Sequence, residues 1–97
     1  MGVLCDNLGK YKKAITHYRK FLSVCKEIGD FHGEALAYNC LGVNYQILGD
    51  LGERGMWEKA IDAHLKHKEL ADDAGKFIAY VNLGIVYEKM GMNQLRF

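Results

Sequence analysis

Leu41-Gly42-Val43-Asn44-Tyr45-Gln46-Ile47-Leu48-Gly49 is the middle copy of three related segments. The first runs Met1-Gly2-Val3-Leu4-Cys5-Asp6-Asn7-Leu8-Gly9 and the third Leu83-Gly84-Ile85-Val86-Tyr87-Glu88-Lys89-Met90-Gly91. Each outer copy shares four identities in nine with the middle one, and four of the ten remaining differences exchange one apolar residue for another. The second-position glycines, Gly2, Gly42 and Gly84, are almost evenly spaced. Self-similarity at a fixed period marks a repeat architecture, in which each unit buries its apolar face only against its neighbours.

A second unit alternates with the first. Tyr11-Lys12-Lys13-Ala14-Ile15 matches Trp57-Glu58-Lys59-Ala60-Ile61, and each alanine precedes a glycine, Gly29 or Gly75, by the same distance. The length differences fall between these segments, around Asp50–Met56 and Gly75–Ala79, as expected where loops join rigid elements.

The periodicity throughout is helical. Residues 10–28 place Tyr11, Ala14, Ile15, Tyr18, Phe21, Leu22, Cys25 and Ile28 on one stripe, with the charges elsewhere. Residues 56–74 repeat this with Trp57, Ala60, Ile61, His64, Leu65 and Ala71. Between Phe31 and Leu48 apolar residues cover most of the circumference, and Phe77–Tyr87 is also free of charge. Inner helices, buried on more than one side, are therefore expected to alternate with amphipathic outer ones. Gly9, Gly29, Gly49, Gly75 and Gly91 each stand where a helical pattern closes, and Asp30 is placed to cap the helix after Gly29. The expected elements are a helical tail over 2–8 and helices over 10–28, 31–48, 56–74 and 76–90, with a further helix beginning in 92–97.

These residues resemble the tetratricopeptide repeat family. The match runs through Met1-Gly2…Gly9-x-Tyr11…Ala14…Tyr18, then Tyr38…Leu41-Gly42…Tyr45…Gly49 with Trp57 and Ala60, then Tyr80…Leu83-Gly84…Tyr87…Gly91. The long period is similar to the branch that includes kinesin light chains and spindle-orientation adaptors. The resemblance implies an all-α fold of antiparallel helix-turn-helix repeats stacked as a right-handed solenoid. On this reading residues 1–30 form a partial repeat, 31–75 a repeat and 76–97 a second partial one, a piece of a longer array. Gly2, Gly42 and Gly84 would let paired helices approach closely, with Ala14 and Ala60 as their small counterparts. Tyr11, Tyr45, Trp57 and Tyr87 would fill the gaps.

The resemblance also implies a concave face lined by the inner helices. Its residues here are Leu36, Asn39, Val43, Gln46 and Ile47 from one helix, and Ile78, Val81, Ile85, Glu88 and Lys89 from the next, with Asn82 beside them. Many relatives clamp a peptide carboxylate with Lys, Asn or Arg just after the repeat glycine. Val43 and Ile85 stand there instead, so either binding would rest on apolar burial or these residues pack against the preceding outer helix.

Composition narrows the function. The chain has 97 residues, 49% hydrophobic and 26% charged, with 13 Lys and Arg against 12 Asp and Glu. That mix is globular, and the near-zero balance offers no bulk charge to neutralise nucleic-acid phosphates. Charge is local instead: residues 10–28 carry six Lys and Arg against one Glu, which reads first as solvated convex surface and second as a ridge that orients an acidic partner or stacks on another copy. The longest charge-free run, Ala35–Gly49, is too short and polar to span a bilayer. Cys5, Cys25 and Cys40 are odd in number and unpaired in spacing, and no basic-then-apolar leader opens the chain, which together suggest a cytoplasmic setting.

No constellation for chemistry emerges. His64 and His67 have a helical metal-ligand spacing but no third ligand nearby, and His64 stands in the slot of Tyr18, so both read as packed or surface histidines. Gly49–Gly55 follows a helix, not a strand, and lacks the Gly-Lys-Ser/Thr of a phosphate loop. Asp72 and Asp73 fall at the expected C-terminal end of an outer helix, a solvated face. The expectation is a non-catalytic protein-binding scaffold without metal or cofactor, whose concave face takes a peptide or helix. The alternative is a structural subunit of a cytoskeletal or ciliary assembly with that face filled internally, and with self-association through the repeat ends.

Overall fold

A computed structural model describes residues 2–95, with side chains placed for residues 8–92. It contains four helices among these residues: α1 (Gly2–Ile28), α2 (Phe31–Asp50), α3 (Met56–Leu70) and α4 (Asp73–Leu95). Each packs on its neighbour in sequence, and α2 also touches α4. The fold is an all-α helical repeat.

The α1–α2 turn shows how the sequence sets the stops. Gly29 adopts φ +74°. Its N–H bonds the carbonyl of Lys26, and the N–H of Asp30 bonds that of Cys25 at 2.9 Å. This paired closure needs a left-handed residue that only glycine supplies cheaply. The Asp30 carboxylate then accepts from the Gly33 N–H at 2.9 Å and opens α2. The α3–α4 junction repeats the device, with the Gly75 N–H donating to Asp72 Oδ1 at 2.9 Å.

Asp72 and Asp73 thus belong to the start of α4, where the helix dipole favours carboxylates, and not to the end of α3. The register that matters pairs Gly33 with Gly75, with the same separation as Gly42 and Gly84. Gly75 therefore closes no helix, and α3 ends at Leu70 instead of Ala74. Asp30→Ala and Asp72→Ala are each expected to cost about 1 kcal/mol in urea titrations. Unchanged midpoints would contradict the caps.

Three other expected stops are corrected. Gly9 lies inside α1, so residues 2–28 form one helix. Gly91 lies inside α4. A Cβ added at either would meet nothing within 4 Å. Glycine permits a left-handed turn but exerts no force toward one, and inside a helix it costs only about 1 kcal/mol. Gly49 lies inside α2, because its role is packing: a Cβ there would stand 2.6 Å from Trp57 Nε1. The helix ends one residue later, and Gly52 (φ +99°) and Gly55 (φ +78°) turn the chain into α3.

The core is one cluster: Ile15 from α1, Leu41, Tyr45 and Leu48 from α2, Ala60 and Ala63 from α3, and Val86 from α4. One of its close approaches is at Gly42, against which the His64 ring lies. A Cβ on Gly42 would stand 2.6 Å from His64 Nδ1 and 2.7 Å from Nε2. Ala60, on the same helix as His64, is fully buried. Small residues on facing helices bring the backbones close, and flat rings, Trp57 and His64, fill what remains. Gly84 has the same register but no atom within 4 Å of its added Cβ, and Tyr80 and Tyr87 beside it are exposed. These three are therefore uncovered by the described residues, contrary to their expected packing roles. Gly2 and the flanking Val3, Leu4, Cys5 and Phe97 lie outside the residues described with side chains.

Candidate functional site

The helical period places Leu36, Val43 and Ile47 on one line of α2, on the side opposite Tyr45. Packing keeps that division. The other side of α2 turns Leu41, Tyr45 and Leu48 into the core. Leu36 is 55% exposed and Val43 38%. On α4 the residues of equivalent register repeat this: Ile78 is 47% exposed, Val81 46% and Ile85 38%. Asn39, Gln46, Ile47 and Lys89 are half-buried between these rows, and Glu88 is exposed. The inner helices are thus not covered on this side, although their composition suggested burial all round.

Polar contacts tie the two helices. Asn82 Nδ2 donates to Asn39 Oδ1 at 3.3 Å. Lys89 Nζ meets Asp50 Oδ2 at 2.7 Å, and the second oxygen of Asp50 accepts from Trp57 Nε1 at 3.0 Å. All ten residues read from the sequence as a binding face lie on α2 and α4. Met92, 56% exposed, continues the apolar row further along α4 and was not anticipated. Its signal was the same helical spacing, continued beyond Ile85.

Chemically reactive arrangements are weakly supported. His64 is fully buried with neither ring nitrogen hydrogen-bonded, and His67 is buried with Nδ1 unpartnered. Burial, and then the neighbouring His67, lower the His64 pKa to about 4. Burial lowers His67 as well, against an opposing pull from Asp72. Burial first, then the Asp30 and Glu34 carboxylates, push the Cys25 thiol up, away from thiolate chemistry. No group of three or more His, Cys, Asp or Glu among the described residues is placed to hold a metal. No helix among them is long and apolar enough to cross a membrane.

Residues 1–28 match the family model of the tetratricopeptide repeat. Over these residues the chain is similar to a tetratricopeptide repeat. The matched stretch contains Gly9, Tyr11, Ala14 and Tyr18, the positions on which the resemblance rested. Tetratricopeptide repeats generally mediate protein–protein interaction and are typically non-catalytic. Comparison with curated proteins and with solved structures gives no match.

Proposed function

We propose that this tetratricopeptide-repeat chain is a non-catalytic scaffold whose α2–α4 face binds a peptide or helix of a partner protein. The observation that carries the reading is the row Leu36, Val43, Ile78, Val81 and Ile85. It is exposed on two adjacent helices in matching register, while the opposite sides of both helices hold the core. Such a row gains by covering apolar area at roughly 25 cal/mol per Å², and Asn39 with Asn82 offers polar register points. The long separation of Gly42 and Gly84 supports the long-helix branch of the family.

Val43→Asp with Ile85→Asp should reduce capture of such a partner at least about 100-fold, because two carboxylates would be desolvated without counter-charges. Helicity should be unchanged, since both positions are exposed in the free protein. Lys13→Glu with Lys20→Glu, on exposed α1 positions, should alter mainly the salt dependence. The measurement is affinity capture with circular dichroism of each variant. Normal capture by the Val43/Ile85 variant would remove this face from consideration.

One observation favours a second reading, a structural subunit packed laterally in a cytoplasmic assembly. Phe77, Tyr80 and Tyr87 are 69%, 60% and 53% exposed around Gly84, on a face equivalent to the one where α2 receives α3. Reversible self-association in sedimentation, lost on Tyr80→Glu, would move the assignment to that reading.

A further inference from the structure

On the other side of α2, α1 and α3 both pack against it, with no close backbone approach to each other among the described residues. The gap between them is a cleft of about 320 Å³. Its floor is Tyr38, Leu41 and Tyr45, and its rims are Arg19 from α1 and Lys59, Asp62 and Lys66 from α3. The side chains 59, 62 and 66 follow helical spacing, so one face of α3 presents all three.

The polar groups here are donors short of acceptors. Arg19 donates to the Tyr45 hydroxyl through Nη2 at 2.7 Å and Nε at 3.1 Å. A phenol oxygen that accepts twice from a guanidinium keeps its own proton to donate, and no acceptor takes it among the described residues. Three of the five guanidinium N–H bonds also remain for another partner. The Lys59 ammonium lies 5.9 Å from the Tyr45 ring centroid and makes no ion pair among the described residues. Lys66 meets only Glu69, at 3.8 Å in an exposed pair of little strength. Three cations and a hydroxyl proton therefore converge on a site with one carboxylate, Asp62, above an apolar floor.

We propose that this cleft is a second binding site, for an acidic peptide segment in which one leucine-sized side chain is flanked by carboxylates. The volume admits one such side chain onto Leu41 and Tyr38. The flanking carboxylates meet Arg19, Lys59 and the Tyr45 hydroxyl, with Lys66 at the outer edge. The basic ridge of α1, six Lys and Arg against one Glu over residues 10–28, steers acidic segments toward this side. The site lies across α2 from Leu36 and Val43 and shares no residue with that face.

The test is fluorescence anisotropy with a labelled Glu-Glu-Leu-Glu-Glu peptide. Saturable binding that weakens with salt is expected. Arg19→Gln with Lys59→Gln should weaken it about tenfold or more, as should a Gln-Gln-Leu-Gln-Gln probe. Lys66→Gln, at an exposed position that cannot unfold the chain, should weaken it about threefold. Tyr45→Phe, with helicity retained, should weaken it several-fold by removing the hydroxyl donor. Val43→Asp with Ile85→Asp should leave it unchanged, which separates this site from the α2–α4 face. The proposal is overturned by absence of binding up to about 1 mM probe, by equal binding of the glutamine probe, or by an equal loss from Lys13→Gln with Lys20→Gln outside the cleft.

Discussion

Gly42→Leu is expected to lower stability by about 1–3 kcal/mol or more, while Gly84→Ala in the same repeat position raises it by about 0.5–1 kcal/mol. For a chain of this size each kilocalorie moves the melting temperature by roughly 4–8 °C, so the two variants should lie clearly on either side of the parent. The difference is one of surroundings. A side chain at Gly42 enters the ring of His64, which is fully buried between α2 and α3 and flanked on its own helix by the buried Ala60 and Ala63. It has no volume into which to retreat. At Gly84 the new methyl group meets nothing within 4 Å, leaving only the gain in helix propensity. Truncating the obstacle should restore room, so Gly42→Ala combined with His64→Ala should cost less than the sum of the two single changes. A Gly42→Leu variant that melts with the parent would mean that α2 and α3 are not in close contact.

Acid should act through the same residue. The native His64 ring is neutral, with a pKa of about 4 against 6.5 for an unhindered histidine, because burial leaves no water and no partner for a charged ring. Unfolding therefore takes up a proton below the ordinary value. The contribution is fully present above pH 6.5 and is lost progressively as pH falls toward about 4, a difference of roughly 3 kcal/mol. His67 acts in the same direction, moderated by Asp72. His64→Phe keeps a flat ring against Gly42 without an ionisable nitrogen. Urea titrations of both proteins at pH 7.5 and 4.5 should show the parent losing roughly 2–3 kcal/mol more than the variant. Equal losses would mean that His64 is solvated in the folded chain.

The Gly42–His64 contact also shows what the sequence could reveal. Glycine at 42 and alanine at 60 located the close approach of α2 and α3, because only small residues allow it, whereas Gly84 in the same register meets nothing within 4 Å. The alternation of inner and outer helices, the Gly29 closure and the Asp30 cap were legible for the same local reasons. What failed was the assumption that every recurring glycine ends a helix. Gly49 is glycine because Trp57 lies on it, and Gly75 because an added Cβ would stand 2.5 Å from that of Ala71; each partner lies outside the recurring nonapeptide. Residues 78, 81 and 85 could be read as one row because a single helix carries them. Whether that row is covered depends on where α3 sits, which periodicity alone does not fix. The cleft was invisible for a related reason: Arg19 and Lys59 are remote in sequence and come together only through the angle at which two helices lie on a third.

That angle has a mechanical side. With no close backbone approach between α1 and α3, α2 serves as the axle of the described chain, and each outer helix seats on it. Rolling α1 toward α3 narrows the outer gap and reorients the opposite side of α2, where Leu36 and Val43 stand. A ligand that bridged Arg19 and Lys59 would act as a strut between the two outer helices. The curvature offered to anything lying along α2 and α4 would then be a variable that the outer surface sets.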